Sequence, residues 1–232
     1  MLILSVDTSS KSGSVALLRE SALLGCLSDT SNEPYSSRLF RYLEAILGEQ
    51  GVSLPQIDLY AVSSGPGTFT GLRVGLTAVK GWAEVFGKPI APVSSLEAVA
   101  AQAASQDALL AAVLDAHRGQ IFGGLYARSG DCLRRVTDDV VMSAIEYLEM
   151  IRDEAAGAPL VFLTPHPWVL QSALEASRLH SSPVQEVSPV LAPVIGRLGL
   201  ELAKRGKAVD SLSLDAHYIR RSDAELLWKE PA

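Results

Sequence analysis

The segment Gly65-Pro66-Gly67-Thr68-Phe69-Thr70-Gly71 limits the fold more than any other part of this sequence. It follows a short apolar run, Ile57 to Ser63, that predicts a strand, and it leads into a long apolar segment, Gly71 to Phe86, that predicts a helix. The first N–H groups and the positive dipole end of such a helix favour an anion. The segment therefore predicts either a phosphate or carboxylate site or an ordinary strand-to-helix turn with Thr68 or Thr70 as N-cap.

The residues on either side of this segment predict a mixed α/β half-domain. Short apolar runs separated by polar turns are typical of strands, and an apolar face that repeats every three to four residues is typical of a helix. Three strands and a helix precede the glycine-rich segment, and one short strand follows its helix: Leu2 to Val6, Ser14 to Leu18, Ala22 to Leu27, Tyr35 to Glu49, and Pro89 to Pro92. This order of elements belongs to the mixed α/β class.

A second lobe is predicted to begin near residue 107, after an alanine-rich helical segment from Ser94 to Gln106. The strand Ala108 to Leu114, the turn Asp115 to Gly119 and the strand Gln120 to Tyr126 repeat the opening pattern of strand, acidic turn and strand. We therefore expect two lobes, residues 1–106 and 107–232. Later segments predict the strand Leu160 to Leu163 and three helices: Ser143 to Glu154, Pro167 to Ser177, and Ala192 to Arg205. The C-terminal helix is free to pack back on the first lobe.

Composition excludes several classes of protein. The chain has 232 residues, of which 48% are hydrophobic, and a formal net charge of -6, which describes a globular protein able to bury a core. Its 2 cysteines and 4 histidines lack metal-ligand spacing, so no metal site is expected. Lysines and arginines form no long run, so the chain is not expected to bind tRNA unaided. Neither a membrane span nor a signal peptide is present in the sequence, which predicts a cytoplasmic location without membrane contact.

Polar residues at the end of the first predicted strand form the second half of a candidate site. Asp7 is suited to ligate Mg²⁺ near a phosphate, and equally to cap a hairpin turn through its own backbone. Asp115 holds the matching position in the second lobe, so the two carboxylates would face each other as in an actin-like nucleotide site. No second glycine-rich segment follows to enclose an adenosine. The candidate nucleotide- or phosphate-binding residues are Asp7, Thr8, Ser9, Gly65, Gly67, Thr68, Thr70 and Gly71.

The two long helices of the first lobe are more apolar than packing on one side of a sheet requires. In the helix from Gly71 the charged and hydroxyl residues fall within a narrow arc, and the helix from Tyr35 is similarly apolar. The apolar side chains that do not pack on the sheet must be covered either by a partner chain or by another part of this chain. The candidate partner-interface residues are Tyr35, Leu39, Tyr42, Leu43, Ile46, Leu72, Gly75, Leu76, Val79, Trp82, Ala83 and Phe86.

Several segments together resemble the TsaB family, also called YeaZ. They are Ile3 to Ser9, Gly65 to Leu76, Pro92 to Leu96, Asp115 to Gly119, and Tyr218-Ile219-Arg220. The resemblance implies an actin/hexokinase-like α/β fold of two lobes made from duplicated βββαβα units. It also implies a role in making N6-threonylcarbamoyladenosine at adenosine 37 of tRNAs that read ANN codons, as the non-catalytic subunit that pairs with and supports TsaD.

The resemblance further implies how the subunit works. TsaD carries an HxxxH metal-binding pair on its equivalent early helix, where this chain has Tyr35 and Leu39. The apolar helices correspond to a family surface that forms a four-helix contact with TsaD, or with a second copy in its absence. TsaE joins that complex, TsaC supplies threonylcarbamoyl-AMP, and tRNA is bound only through the complex. The resemblance implies no cofactor for the isolated chain. It leaves open whether ATP or ADP binds with Mg²⁺ at the subunit boundary.

Two other classes of function are left open by the residues. One is an active actin-like small-molecule kinase or ATPase, which would need a full adenosine-binding site and a catalytic acid or base in the cleft. The other is a glycoprotease-like hydrolase, for which the sequence offers no activated nucleophile or metal cluster. Nucleotide binding by the isolated chain would favour the first, and proteolysis that survives a chelator would favour the second.

Overall fold

The first five strands form one mixed sheet. The computed structural model describes residues 1–31, 33–155 and 157–220. The strands are β1 (Leu2–Asp7), β2 (Ser14–Arg19), β3 (Ala22–Ser28), β4 (Leu59–Gly65) and β5 (Ile90–Ser94), in the spatial order β3-β2-β1-β4-β5. β1 pairs antiparallel with β2 and parallel with β4, and β4 pairs parallel with β5.

The second sheet repeats this topology. It contains β6 (Asp107–Asp115), β7 (Ile121–Ser129), β8 (Cys132–Arg135), β10 (Leu160–Thr164) and β11 (Val184–Glu186), in the order β11-β10-β6-β7-β8, with β9 (Val140–Met142) also paired to β7. β6 is antiparallel to β7 and parallel to β10, as β1 is to β2 and β4. The predicted actin/hexokinase-like duplication is therefore confirmed, and Asp7 and Asp115 end equivalent strands.

Helices cover both sheets and separate them. The long helices α1 (Tyr35–Glu49) and α2 (Phe69–Phe86) lie on the outer face of the first sheet, and α4 (Ala144–Arg152) and α5 (Gln171–Glu175) lie on the second. The short helix α3 (Ser95–Ala100) and the helix α6 (Ala192–Lys204) contribute to a core shared by the two sheets. α6 packs directly on β1, β2 and β4, so the second half of the chain returns to the first sheet.

Alternation along β1 explains why the first sheet is buried on both faces. Leu4 and Val6 belong to the core beneath α1 and α2, whereas Ile3 belongs to the core shared with α6. Ser5 points to the α6 side, where its hydroxyl donates to the carbonyl oxygen of Ala192 at 2.6 Å. The period-2 arrangement of a strand therefore joins two cores through one short segment.

Several predicted elements differ from the structure. The predicted helix from Ser94 to Gln106 ends at Ala100, because Gln102 and its neighbours bond instead to the segment that follows β10: the N–H of Ser188 donates to Gln102 Oε1 at 3.0 Å. The predicted helix from Pro167 to Ser177 is a 3-10 turn followed by the five residues of α5. The strands β8, β9 and β11 were not predicted, and each is three or four residues long. No helix in the described ranges is long and apolar enough to span a membrane.

The same substitution should destabilise the chain strongly on the inner side of α2 and hardly at all on the outer side. Val79 is fully buried and Val85 is 75% exposed on the same helix. Val79→Glu buries an unpaired carboxylate and should lower the free energy of unfolding by about 4 kcal/mol or more, whereas Val85→Glu should change it by about 0.5 kcal/mol or less. Urea denaturation of both variants measures this difference. Equal losses in the two variants would contradict the packing of α2 described above.

Candidate functional site

A cleft of about 610 Å³ lies between the two lobes. Its walls are the turn between β1 and β2, the loop before α2, the turn between β6 and β7, and the C-terminal segment that ends the described chain. Of the predicted phosphate-binding residues, Ser9, Gly67, Thr68 and Thr70 line this cleft. The cleft therefore includes part of the predicted site and is bounded by elements of both halves of the chain.

Asp7 does not reach the cleft. Its side chain is completely buried, its Oδ1 accepts a hydrogen bond from the N–H of Ser9 at 3.0 Å, and its Oδ2 has no partner. Burial raises the pKa of this carboxyl above its usual value, against the opposing effect of the Ser9 hydrogen bonds. In this structure Asp7 stabilises the turn that follows β1, which is the second of the two interpretations that the sequence allows.

The glycine-rich loop packs directly on that turn. A Cβ on Gly71 would lie 2.0 Å from the carbonyl oxygen of Thr8, and one on Gly67 would lie 2.6 Å from Ser9. The N–H of Thr68 donates to Ser9 O at 2.7 Å, and the Thr8 hydroxyl donates to Gly71 O at 2.7 Å. These contacts leave no space for a phosphate between Asp7 and the loop, so a Mg²⁺–nucleotide complex held by Asp7 does not fit this arrangement.

The C-terminal segment forms a wall of the cleft that the sequence did not predict. The N–H of His217 donates to Ser64 O at 2.7 Å, which places the segment against the glycine-rich loop. The ring of Tyr218 lies 4.9 Å from that of Phe69, and the Arg73 guanidinium lies 3.8 Å from the Phe69 ring on the same stack. In the sequence, the motif Tyr218-Ile219-Arg220 is the sole feature that pointed to a functional role for this C-terminal segment.

Arg220 connects this wall to the second lobe. Its Nη1 donates to the carbonyl oxygen of Ala116 at 2.7 Å, and its Nη2 donates to Gln120 Oε1 at 2.5 Å. The same segment approaches a buried carboxylate, because His217 Nε2 lies 3.7 Å from Asp139 Oδ2. The segment from residue 217 to residue 220 thus contacts both lobes.

Asp139 is a buried polar group that sequence reasoning missed. Its carboxylate accepts from Arg135 at 3.2 Å and from Ser94 and Tyr126 at 3.4 Å each. Burial raises its pKa, an effect that Arg135 and His217 oppose. The pair Asp138-Asp139 is typical of an exposed turn before a strand, so the sequence gave no signal that Asp139 is buried.

Basic side chains dominate the cleft, although the whole chain is acidic. Arginine, lysine and histidine side chains from both lobes line it: Lys11, Arg73, His117, Arg118, His166, His217 and Arg220. Among the described residues that line it, Asp115 is the sole carboxylate, and its Oδ2 lies 3.2 Å from His117 Nδ1. Burial lowers the pKa of His166, so this ring favours the neutral form. The cleft is therefore suited to an anionic ligand.

Most of the predicted interface residues are buried within the chain. The sheet beneath α1 and α2 covers their inner faces, so the following residues are core residues and cannot contact a partner in this structure: Leu39, Leu43, Ile46, Leu72, Gly75, Leu76, Val79 and Ala83. Tyr35, Tyr42, Trp82 and Phe86 are partly exposed. Helical periodicity identified the apolar residues correctly but could not separate the face on the sheet from the face outside it.

The outer face of the two helices carries its own apolar side chains. Phe40 on α1 is 55% exposed and Val85 on α2 is 75% exposed. The rings of Phe40 and Trp82 meet edge to face with centroids 6.4 Å apart, which joins the two helices on the outside. Leu212 of the C-terminal segment is 89% exposed and lies next to Ser211, which bonds to Glu84 of α2. We call Phe40, Trp82, Val85, Phe86 and Leu212 the outer apolar face.

Tyr35 lies where the resemblance places the first residue of the TsaD metal-binding pair, and here its side chain stabilises the neighbouring turn. Its hydroxyl bonds to the backbone of the turn between β1 and β2, donating to Lys11 O at 2.8 Å and accepting from the N–H of Gly13. Its ring occupies the space that a side chain at residue 13 would need. Within residues 1–31, 33–155 and 157–220, no three His, Cys, Asp or Glu side chains are grouped so that they could hold a metal ion.

Duplicated sheets around an interlobe cleft define a protein of the actin/hexokinase-like class. A ROK hexokinase from Thermus thermophilus shares this fold, with a TM-score of 0.51 and 14% identity over 90% of this chain and 98% of that chain. A crystal structure from Pseudomonas aeruginosa, of an uncharacterized protein with similarity to peptidase YEAZ, is much more similar. Its TM-score is 0.80, with 25% identity over 94% of this chain and 99% of that chain.

Sequence comparisons identify the family within that class. Residues 25–174 match the sequence model of the family described as "TsaD: tRNA N6-adenosine threonylcarbamoyltransferase". Over its full length the chain is 30% identical to the tRNA threonylcarbamoyladenosine biosynthesis protein TsaB of Bacillus subtilis (strain 168), with 99% of each chain covered. It is 25% identical to the TsaB protein of Haemophilus influenzae, with 99% of this chain and 97% of the relative covered. The chain belongs to the TsaB family, among the sequences that the TsaD model describes.

The buried carboxyl of Asp7 predicts a defined pH dependence of stability. Because the folded chain holds this proton more tightly than an unfolded chain of pKa 3.8, the free energy of unfolding should fall as the pH rises from 3.8 through the raised pKa. Asp7→Asn keeps an oxygen that accepts from Ser9 and cannot ionise. The variant should therefore gain stability over the wild type as the pH rises, as measured by urea denaturation between about pH 4 and pH 7. Parallel pH curves for the two chains would show that Asp7 titrates normally.

Proposed function

We propose that this chain is an accessory subunit, with no catalytic set of its own, that pairs with TsaD in the synthesis of threonylcarbamoyladenosine in tRNA. The outer apolar face carries the proposal. Phe40 and Val85 expose apolar side chains on two adjacent helices, and exposed apolar groups beside one another are typical of a protein–protein interface. In this proposal the same face binds a second copy of the chain when TsaD is absent, and TsaE joins the assembled complex.

The charges of the chain agree with an accessory role. The net charge is -6, and the cleft lined by Lys11, Arg73, Arg118 and Arg220 is too small for a duplex. Such a surface would repel most of the tRNA backbone, so in this proposal tRNA is bound only through the complex. The closed contact at Asp7 also removes the group that an active kinase would use to hold a metal ion.

Reconstitution tests the function. Purified TsaC, TsaD and TsaE with unmodified tRNA should give little N6-threonylcarbamoyladenosine until this chain is added, as measured by nucleoside mass spectrometry. Equal modification without the chain would overturn the accessory role. Modification or ATP turnover by this chain alone would show that it is an enzyme.

Substitutions on the outer apolar face should separate pairing from folding. Phe40→Glu and Val85→Glu place a carboxylate at the centre of the proposed contact and should weaken binding to TsaD by about 2 kcal/mol or more each, a loss of about thirtyfold. The matched control is Ile145→Glu, because Ile145 is 58% exposed on α4 of the other lobe. Isothermal titration with TsaD measures all three.

Equal effects of the three substitutions would exclude the outer apolar face as the contact. Val79→Glu is unsuitable for this test, because Val79 lies in the core and its loss would report on folding. Circular dichroism of each variant confirms that the fold is retained.

We further propose that a nucleotide, ATP or ADP, binds in the interlobe cleft and that the subunit boundary completes its site. The lysine and arginine side chains that line the cleft support this proposal because they offer positive charge to the phosphates. The stacked rings of Phe69 and Tyr218 offer an aromatic surface for the nucleobase. Mg²⁺ would have to be held by groups other than Asp7.

Arg73 provides the test of this ligand. Arg73→Gln should weaken binding of ADP by about tenfold, whereas Lys80→Gln on the same helix, outside the cleft, should leave it unchanged. Isothermal titration of the chain together with TsaD, with and without Mg²⁺, measures both variants. Equal affinity for the wild type and both variants would exclude the cleft as the nucleotide site.

A further inference from the structure

A second cavity, of about 280 Å³, lies where the helices α1 and α2 begin. It is formed by the first turn of α1, the first turn of α2 and the turn between β1 and β2. It shares Lys11 and Thr70 with the rim of the interlobe cleft, but Ser36 and Arg38 line only this cavity. Arg73 lines only the cleft, so the two spaces can be tested separately.

Arg38 is the unusual group in this cavity. It is only 2% exposed, and its Nε is buried without a hydrogen-bond partner. Both hydrogen bonds that it makes come from Nη1, which donates to the backbone and side chain of Asp29. The Nε and Nη2 N–H groups of a guanidinium point in parallel and match two oxygens of a phosphate or carboxylate. Neither hydrogen bond of Arg38 uses Nη2, so this group remains able to donate to an oxyanion.

Contacts with Tyr35 and Asp29 hold the guanidinium in place and leave its Nε and Nη2 groups without hydrogen bonds. Its carbon lies 4.1 Å from the centre of the Tyr35 ring, and the Tyr35 hydroxyl is itself bonded to the backbone of the turn between β1 and β2. Asp29, which holds Nη1, also accepts a hydrogen bond from Tyr42. The orientation of Arg38 is thus fixed by its neighbours before any ligand arrives, which reduces the entropy lost on binding.

Two helix starts add to the positive potential. The helices α1 and α2 have 15 and 18 residues, and neither has a side-chain cap or an acidic residue in its first turn. Their first N–H groups and dipoles favour an anion in the space between them. The carboxylate of Glu33, also at this cavity, is paired with Arg41 at 2.7 Å, whereas Lys11 contributes a further positive charge.

We propose that this cavity binds a phosphate group, free or as a phosphate ester, between Arg38 and Lys11, both of which line it. The hydroxyls of Ser36 and Thr70 line the same space and can donate to the remaining oxygens. This site lies outside the interlobe cleft and does not depend on the pairing with TsaD proposed above. It gives the first lobe an anion site of its own on the side of α1.

Inorganic phosphate is the probe for this site. The full chain is titrated with phosphate at constant ionic strength, with chloride as the compensating anion, and binding is followed by calorimetry and by the rise in melting temperature. Ser36→Glu places a carboxylate in the cavity at the second residue of α1, where a negative charge also suits the helix. It should weaken phosphate binding by about tenfold or more.

Ser37→Glu is the matched control, because it adds the same charge one residue further along the same exposed helix start but does not line the cavity. It should leave phosphate affinity within about twofold of the wild type, since exposed charges are largely screened. Arg38→Lys keeps the charge and removes the planar edge, so a folded Arg38→Lys chain should also bind phosphate more weakly.

Three results would overturn the proposal. The first is a wild-type chain whose melting temperature does not respond to phosphate at constant ionic strength. The second is an equal response in Ser36→Glu and Ser37→Glu. The third is binding that Arg73→Gln removes and Ser36→Glu does not, which would place the anion in the interlobe cleft.

Discussion

The rest of the structure depends on one close backbone contact, between the glycine-rich loop before α2 and the turn after β1. The amide of Thr68 donates to Ser9 O at 2.7 Å, and Gly71 lies so near Thr8 that no side chain could occupy its position. The contact fixes the start of α2 at the end of β1. It therefore sets the positions of the outer face, the interlobe cleft and the cavity between the helices.

The same contact decides what chemistry the first lobe can carry. It seals the carboxyl of Asp7 beneath the loop, where burial raises its pKa and favours the protonated form. Basic side chains of the first lobe lie elsewhere, along the cleft and at the start of α1, where Arg38 lines the second cavity. The carboxylate at the end of β1 therefore serves a structural turn in this fold.

The sequence predicted the parts of the fold that depend on local pattern. The bounds of α1, the central strands of both sheets and the duplication follow from periodicity and turn residues, and the structure confirms them. The failures are long-range. Gln102 leaves the helical pattern to bond with Ser188, and the C-terminal segment reaches the cleft through contacts such as that of Arg220 with Ala116. No local pattern encodes these pairs, and none tells which side of an apolar helix faces the sheet.

Trp82 connects the outer apolar face to the core. Trp82 lies between the exposed ring of Phe40, 6.4 Å away, and the buried ring of Tyr60, 5.9 Å away. A surface ring held in this way loses little conformational freedom when a partner covers it, so more of the buried area contributes to affinity. Beneath α1, Arg38 is fixed in the same manner by Tyr35 and Asp29. The helix α1 therefore carries an exposed apolar ring, Phe40, and a buried guanidinium, Arg38, and each is fixed by contacts with its neighbours.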